Sequence, residues 1–184
     1  MTETFSITYH WRETNHVDNP YQEHEDDWTT AFRVLQRFFA SHEGRFSLWF
    51  GEREIPFSLD PDLLTIFEEL PDVLLSIKNG EEACLDFFEQ GTDLVLTLQP
   101  VESKLKIRFH VGSSAADVYK ELEGSSSLIC LGVFLREWTK FLRDLLLALK
   151  EDNPDENREF LLDFLMKLDQ VAEHETSHDD SNRF

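Results

Sequence analysis

The sequence predicts an α+β fold, in which a mostly antiparallel sheet of about six strands packs against several helices. Residues 83–111 alternate apolar and polar side chains in three runs separated by short turns, which is typical of a three-stranded meander. Residues 132–150 carry apolar side chains at helical spacing, which predicts one long helix against the sheet. We expect a single domain over residues 1–172 and a polar, flexible tail over residues 173–184.

The strand register in the meander follows from matching the apolar faces of neighbouring strands. This matching pairs Leu98 with Leu105 and leaves residues 100–103 as a loop, because proline suits a turn better than a ladder. It also pairs Leu85 with Leu98 across a turn that contains Gly91. The outer face then carries a basic row, which we expect to pair with acidic neighbours across the strands. The row is Lys104, Lys106 and Arg108, and the neighbours are Asp86 and Asp93.

The first 60 residues predict a strand, a helix and a hairpin. Alternation over residues 5–11 indicates the strand, and apolar spacing over residues 28–41 indicates a helix that Asp27 could cap and Glu43-Gly44 would end. Residues 46–50 and 55–59 flank a short turn, and Pro56 favours an edge position for the second of these strands.

The remaining elements are mostly helical. Asp60-Pro61 has the residue types of a helix start, Pro71 should break or kink that helix, and Asn79-Gly80 should stop it. A short helix that begins near Asp117 is a candidate, and residues 125–131 fit either a strand or a helix. Asn153-Pro154 opens a last amphipathic helix.

The net charge of −20 at pH 7 bounds the partners of this protein. Nucleic acids and anionic membranes would be repelled, whereas a cationic protein would be attracted over a long range. Solubility alone is the alternative explanation of this charge. Cys84 and Cys130 have apolar neighbours, so we expect buried free thiols and a cytoplasmic location. The N-terminus has no secretory signal pattern.

One motif suggests metal chemistry. His174, Glu175 and His178 fit the pattern H-E-x-x-H, in which two histidines on one helix face bind zinc and the glutamate acts as a general base. Asp179 could add an oxygen ligand. The motif lies in the polar tail, and only six residues follow it to supply a third ligand. We therefore predict no metal, no cofactor and no catalytic residue, with a metal-dependent hydrolase as the alternative.

The spacing of apolar residues from Asp60 onwards resembles small acidic immunity proteins of bacterial polymorphic toxin systems, of the wall-associated-protein type. The residues that carry this resemblance are Leu63, Phe67, Leu70, Leu74, Leu75, Asn79, Gly80, residues 85–90, Leu135, Phe141 and Leu145. The resemblance covers about half of the chain and transfers no binding residue. It implies a cytoplasmic, non-catalytic protein that neutralises a toxin by binding it.

These observations favour a non-enzymatic, acidic protein-binding module for a cationic partner such as a nuclease toxin. The carboxylates that we expect to meet the partner lie in two loops. They are Glu23, Glu25, Asp26, Asp27, Glu52 and Glu54. A structural or regulatory subunit of a larger assembly is a further alternative, which exposed aromatic residues such as Trp49 or Phe88 would favour.

Overall fold

The computed structural model describes residues 2–14, 29–88, 91–152 and 158–172. The strands in these ranges are β1 (Phe5–Glu13), β2 (His42–Phe50), β3 (Arg53–Ser58), β4 (Ala83–Phe87), β5 (Leu94–Val101), β6 (Lys104–Val111) and β7 (Ser126–Cys130). The helices are α1 (Thr30–Ser41), α2 (Leu64–Ile66), α3 (Leu70–Lys78), α4 (Asp117–Lys120), α5 (Leu131–Asp152) and α6 (Arg158–Ala172). A wide helical turn, Leu59–Leu63, precedes α2. The predicted α+β class, the meander and the long helix are confirmed.

The strands form two antiparallel sheets rather than one. The first has the order β1-β2-β3 and the second the order β4-β5-β6-β7, so β3 is the edge strand that Pro56 predicts. The sheets meet where the Glu3 backbone N–H donates a hydrogen bond to the Leu128 carbonyl oxygen over 2.8 Å. A parallel bridge between Glu3 and Ile129 accompanies this bond. The start of the chain therefore joins the edge of the second sheet to the first.

Helix α5 packs across both sheets and contributes the largest buried rings. Trp138 and Phe141 are fully buried. The Phe141 ring stacks on Phe46 of β2 with centroids 5.4 Å apart, and Trp138 meets the same ring edge-on at 6.2 Å. Aromatic pairs of this kind stabilise a core beyond the area that they bury. The apolar face predicted for this helix is thus the centre of the core.

Two further ring pairs join the sheets directly. Phe50 of β2 meets Phe109 of β6 edge-on, with centroids 5.3 Å apart. Phe57 of β3 stacks on Phe87 of β4 at 4.3 Å. All four rings are buried, so the two sheets share one core.

Tyr9 ties β1 to α5 through its ring and its hydroxyl. The ring packs on Phe141 with centroids 5.0 Å apart, and the hydroxyl donates a hydrogen bond to the Asp144 carboxylate. Burial raises the pKa of Tyr9, and the hydrogen bond to Asp144 and the charges of Asp144 and Glu137 raise it further. The hydroxyl is therefore a hydrogen-bond donor at neutral pH.

The predicted register of the meander is wrong by two residues. Leu98 pairs with Ile107 instead of Leu105, and Leu85 pairs with Leu96 instead of Leu98. The reason for the first shift is that β5 continues through Pro100 to Val101, which leaves a turn of two residues with Glu102 at φ 55°. A shift of two keeps every side chain on its face, so the buried set is as predicted.

The polar contacts on the outer face of the meander differ from the expected charge pairs. Arg108 donates to the side-chain oxygen of Gln99 at 3.2 Å. Asp93 accepts hydrogen bonds from the Ser114 hydroxyl at 2.6 Å and from its backbone N–H at 3.0 Å. These two bonds lower the pKa of Asp93. Asp93 therefore holds the loop after β6 rather than the basic row.

The helix boundaries correct several predictions. Thr29 caps α1 by accepting from the Phe32 N–H at 3.2 Å, whereas Asp27 lies outside the described residues. Residues 43–44 lie inside β2 and do not stop a helix, because β2 follows α1 without a loop. Asp60 has an extended backbone (φ −118°) inside the wide turn Leu59–Leu63, whose cap position is Ser58. The predicted break at Pro71 is confirmed, since α2 ends at Ile66 and Pro71 lies in the first turn of α3.

Later elements include one confirmed boundary and two corrections. Gly80, at φ 85°, ends α3 as predicted, since a left-handed backbone there favours glycine. Asp117 lies in the first turn of α4, and Ala116 occupies the cap position. Residues 126–130 form a strand. Cys84 and Cys130 are exposed, contrary to expectation, because both occupy outward positions of their strands.

We predict that Phe141→Ala lowers the free energy of unfolding by about 3–5 kcal/mol, because it leaves a cavity between α5 and the first sheet. Leu147→Ala is the matched control on the same helix, since Leu147 is 59% exposed. Its effect should stay within about 0.5 kcal/mol. Urea unfolding followed by circular dichroism measures both values, and equal effects would contradict the packing described here.

Candidate partner-binding site

Two of the predicted partner-binding carboxylates are described by the structure. Glu52 lies in the two-residue turn between β2 and β3, and Glu54 lies in β3; both are exposed. Glu54 accepts a hydrogen bond from the Ser47 hydroxyl at 2.7 Å, which holds it on the outer face of the first sheet. The other four, Glu23, Glu25, Asp26 and Asp27, lie outside the described residues.

The candidate metal residues His174, Glu175, His178 and Asp179 also lie outside the described residues. Within residues 2–14, 29–88, 91–152 and 158–172, no three histidine, cysteine or carboxylate side chains are grouped as a metal site would require. No helix in those ranges is long and apolar enough to cross a lipid bilayer.

An acidic cleft of about 750 Å³ lies beside α1 and α2. Its acidic side chains are Asp60, Glu68 and Glu69, and all three are exposed. Phe32 and Phe88 are among its apolar walls. A cleft of this size falls within the range of small-ligand and side-chain pockets.

Gln36 gives the acidic cleft a buried polar group. Its side chain lines the cleft and is only 5% exposed. The amide oxygen Oε1 has no hydrogen-bond partner among the residues that the structure describes. A buried acceptor without a partner costs about 1–3 kcal/mol, so this oxygen is a site at which a donor would be stabilising.

The acidic cleft lies beside the start of α1. The Thr29 hydroxyl donates to the Glu68 carboxylate at 2.9 Å. Thr29 is also the cap residue of α1, so this bond fixes the beginning of the helix against Glu68.

The two aromatic residues named as possible contact points differ in exposure. Phe88 is 63% exposed and lines the acidic cleft. Trp49 is half-buried and donates from its indole nitrogen to the Thr8 hydroxyl at 3.0 Å. Phe88 is thus the apolar ring available to a partner at this site.

Asp62 holds the turn that carries Asp60 to the cleft. It is buried, and its carboxylate accepts from the Ser58 backbone N–H and hydroxyl, both at 2.7 Å, and from the Thr92 hydroxyl at 2.6 Å. Nearby, the Tyr119 hydroxyl donates to the Pro56 carbonyl at 2.6 Å, and burial raises the pKa of Tyr119. The base of the cleft is thus fixed by hydrogen bonds.

No protein-family model matches this chain, and no curated protein or solved structure matches it either. The site therefore has to be interpreted from its own chemistry.

Sequence reasoning missed the acidic cleft for a specific reason. The adjacent pair Glu68-Glu69 was a visible signal, but surface carboxylates are common on so acidic a chain. Nothing in the pattern of α1 showed that Gln36 would be buried, since glutamine is usually exposed. The signal arises only when α1 and α2 pack together.

We predict that Asp62→Ala lowers the free energy of unfolding by about 3 kcal/mol, because two donors of half-buried Ser58 and one of buried Thr92 lose a charged acceptor. Asp72→Ala is the matched control. Asp72 is an exposed carboxylate 3.0 Å from Lys167, and such surface pairs contribute about 0–1 kcal/mol. Chemical denaturation measures both, and a loss for Asp62→Ala no larger than that of the control would contradict the role given to the buried carboxylate.

We predict that Gln36→Leu leaves the protein equally stable or stabilises it by about 1 kcal/mol, because an apolar side chain of similar size removes the unpartnered acceptor. Thermal unfolding measures the change. A clear loss of stability would show that the Gln36 amide has a structural role.

Proposed function

We propose that this protein is a non-enzymatic protein-binding module whose acidic cleft accepts a cationic segment of another protein. The observation that carries the proposal is the buried, unpartnered Gln36 oxygen beside Asp60, Glu68 and Glu69. An oxygen acceptor and three carboxylates together match a donor that also carries positive charge.

The walls of the cleft favour a lysine or arginine side chain over a small inorganic cation. Such side chains carry an apolar stem and a charged head. Phe32 and Phe88 offer rings to the stem, and an arginine guanidinium also stacks on aromatic faces. Glu68, Glu69 and Gln36 offer oxygen atoms to the head.

The charge of the whole chain supports the same class of partner. A protein with a net charge of −20 attracts a cationic protein from beyond contact distance and speeds their encounter. Glu52 and Glu54 on the β2–β3 hairpin, and the carboxylates of residues 23–27, would add to this attraction. In this proposal the acidic cleft supplies short-range recognition and the remaining carboxylates supply the steering.

Within this proposal, the immunity proteins that the sequence resembles suggest a biological role. The protein would act in the cytoplasm and neutralise a cationic toxin, such as a nuclease, by covering its basic surface. Co-expression tests this role. A toxin gene adjacent to this one should be lethal when expressed alone and tolerated together with this chain. Lethality despite soluble co-expression would count against it.

A second candidate is a permanent subunit of a larger assembly, which the 63% exposure of Phe88 favours. Size-exclusion chromatography of the chain at native expression level separates the two. A subunit would elute in a stable complex, whereas an inhibitor would elute alone until its target is present.

We predict that reversing charges in the acidic cleft weakens binding of a labelled peptide of alternating arginine and leucine. Glu68→Lys with Glu69→Lys should lower affinity about tenfold or more, and Gln36→Leu should lower it without loss of stability. Association should also slow as salt is raised towards 0.15 M, where the screening length is about 8 Å. Fluorescence anisotropy and stopped-flow mixing measure these effects.

The control must separate local recognition from net charge. Glu81 and Glu82, an adjacent exposed pair that follows α3, are both changed to lysine, which alters the net charge equally outside the cleft. Glu52→Lys with Glu54→Lys tests the hairpin in the same way. Equal losses in all three double variants would mean that peptide binding reports only the net charge, and the proposed cleft would be wrong.

A further inference from the structure

A second cavity has the opposite charge character and shares no lining residue with the acidic cleft. This basic groove, of about 530 Å³, lies between the first half of α5 and the C-terminal ends of α3 and α6. Lys78, Arg136, Lys140 and Arg143 line it. Four cations around one cavity are notable on a chain that has 17 lysines and arginines against 37 acidic residues.

Two of these cations hold α6 in place. The Lys78 ammonium donates to the Gln170 carbonyl oxygen near the end of α6. Arg143 donates to the Asp169 carboxylate at 2.6 Å. Their charges remain beside the groove, but their main contacts are structural.

The other two cations remain available to a ligand. Among the described carboxylates, Arg136 forms an ion pair with Glu137 alone, at 3.8 Å, which is too long for a hydrogen bond. Lys140 is exposed and forms no ion pair with any described residue. Asp144 also borders the groove, but its carboxylate accepts the Tyr9 hydroxyl. Arg136 and Lys140 are four positions apart on α5, so they lie on one face of the helix.

Thr139 adds a buried polar atom beside Arg136. The residue is only 6% exposed and lines the groove. Its hydroxyl oxygen Oγ1 has no hydrogen-bond partner among the residues that the structure describes. Because position 139 follows position 136 by three residues, Thr139 and Arg136 are neighbours on the surface of α5.

Towards the start of α5 the groove becomes apolar. Leu131, Leu135 and Val171 line this part, and the exposed thiol of Cys130 lies at its edge. The lined stretch of α5 from Leu131 to Arg143 is about 18 Å long, at roughly 1.5 Å per residue. The groove thus has a cationic end and an apolar end.

We propose that the basic groove binds a small amphiphilic anion, with a carboxylate or phosphate head on an aliphatic chain. The head lies over Arg136 and Lys140 and accepts a hydrogen bond from the Thr139 hydroxyl. The chain lies along Leu131 and Leu135. A protein of this net charge repels anions in general, so a bound anion requires a local set of donors such as this one.

The two cysteines provide a direct test. Alkylation of Cys130 by iodoacetamide should slow about tenfold when decanoate or decyl phosphate is present at ten times its dissociation constant. Cys84 is the internal control, because it is exposed on β4, three strands away from β7 in the same sheet. Peptide mass spectrometry of the full chain follows both thiols in one sample.

Control amphiphiles of the same chain length show whether the anions bind this site specifically or adsorb to any apolar surface. Decanol lacks the charge, and decyltrimethylammonium carries the opposite one. The proposal requires protection of Cys130 by the two anions and not by these controls. Protection by decanol to the same extent, or equal protection of Cys84, would overturn it.

Variants identify the head-group contacts. Arg136→Gln with Lys140→Gln should weaken decanoate binding about tenfold, whereas Arg45→Gln with Lys120→Gln, which removes the same charge elsewhere, should not. Thr139→Val should weaken binding while keeping the shape of the side chain. Unchanged affinity in the groove double variant would refute the proposal.

The chain continues from Ala172, which also borders the groove, so its own residues 173–184 are the competing occupant. A variant that lacks residues 173–184 distinguishes the two. If its Cys130 reacts faster and decanoate protects neither form, the groove belongs to the chain itself and the proposal fails. If decanoate protects Cys130 in both forms, the proposal stands.

Discussion

The packing of α5 against two sheets is the interaction on which the rest of the structure depends. Each sheet has an apolar face that must be buried against another layer, and α5 packs on strands of both sheets. Trp138 and Phe141 supply that layer, and Phe46 receives both of them. The Phe50–Phe109 and Phe57–Phe87 contacts then close the sheets on each other. These aromatic contacts set where every surface element lies.

The apolar face of each helix and strand points into the core, so the charged residues on the opposite face lie at the surface. The acidic cleft forms where α1 and α2 meet, and the basic groove forms where α5 meets the ends of α3 and α6. Each contains one buried polar atom without a partner, Gln36 Oε1 in the cleft and Thr139 Oγ1 in the groove. The two cavities therefore differ in charge and draw on different helices.

The errors in the sequence predictions share a physical cause. Matching apolar faces cannot distinguish a strand register from the same register shifted by two residues. The short turn that contains Glu102 distinguishes the two registers. Glu102 adopts a positive φ there, but a glutamate in the sequence does not indicate such a turn as a glycine would. Thr29 rather than Asp27 occupies the cap position of α1, and the buried Asp62 anchors the wide turn Leu59–Leu63, where the sequence predicts a helix start at Asp60.

The amino-acid sequence alone determined the α+β class, the inward face of each strand in the meander and the long helix, because those depend on periodicity within one segment. It also determined the net charge, and hence the class of partner that we propose. Only the tertiary structure decided that there are two sheets, that both cysteines face outward and that Gln36 and Thr139 are buried. The cleft and the groove depend on side chains from helices distant in sequence, and such proximity exists only after the core has assembled.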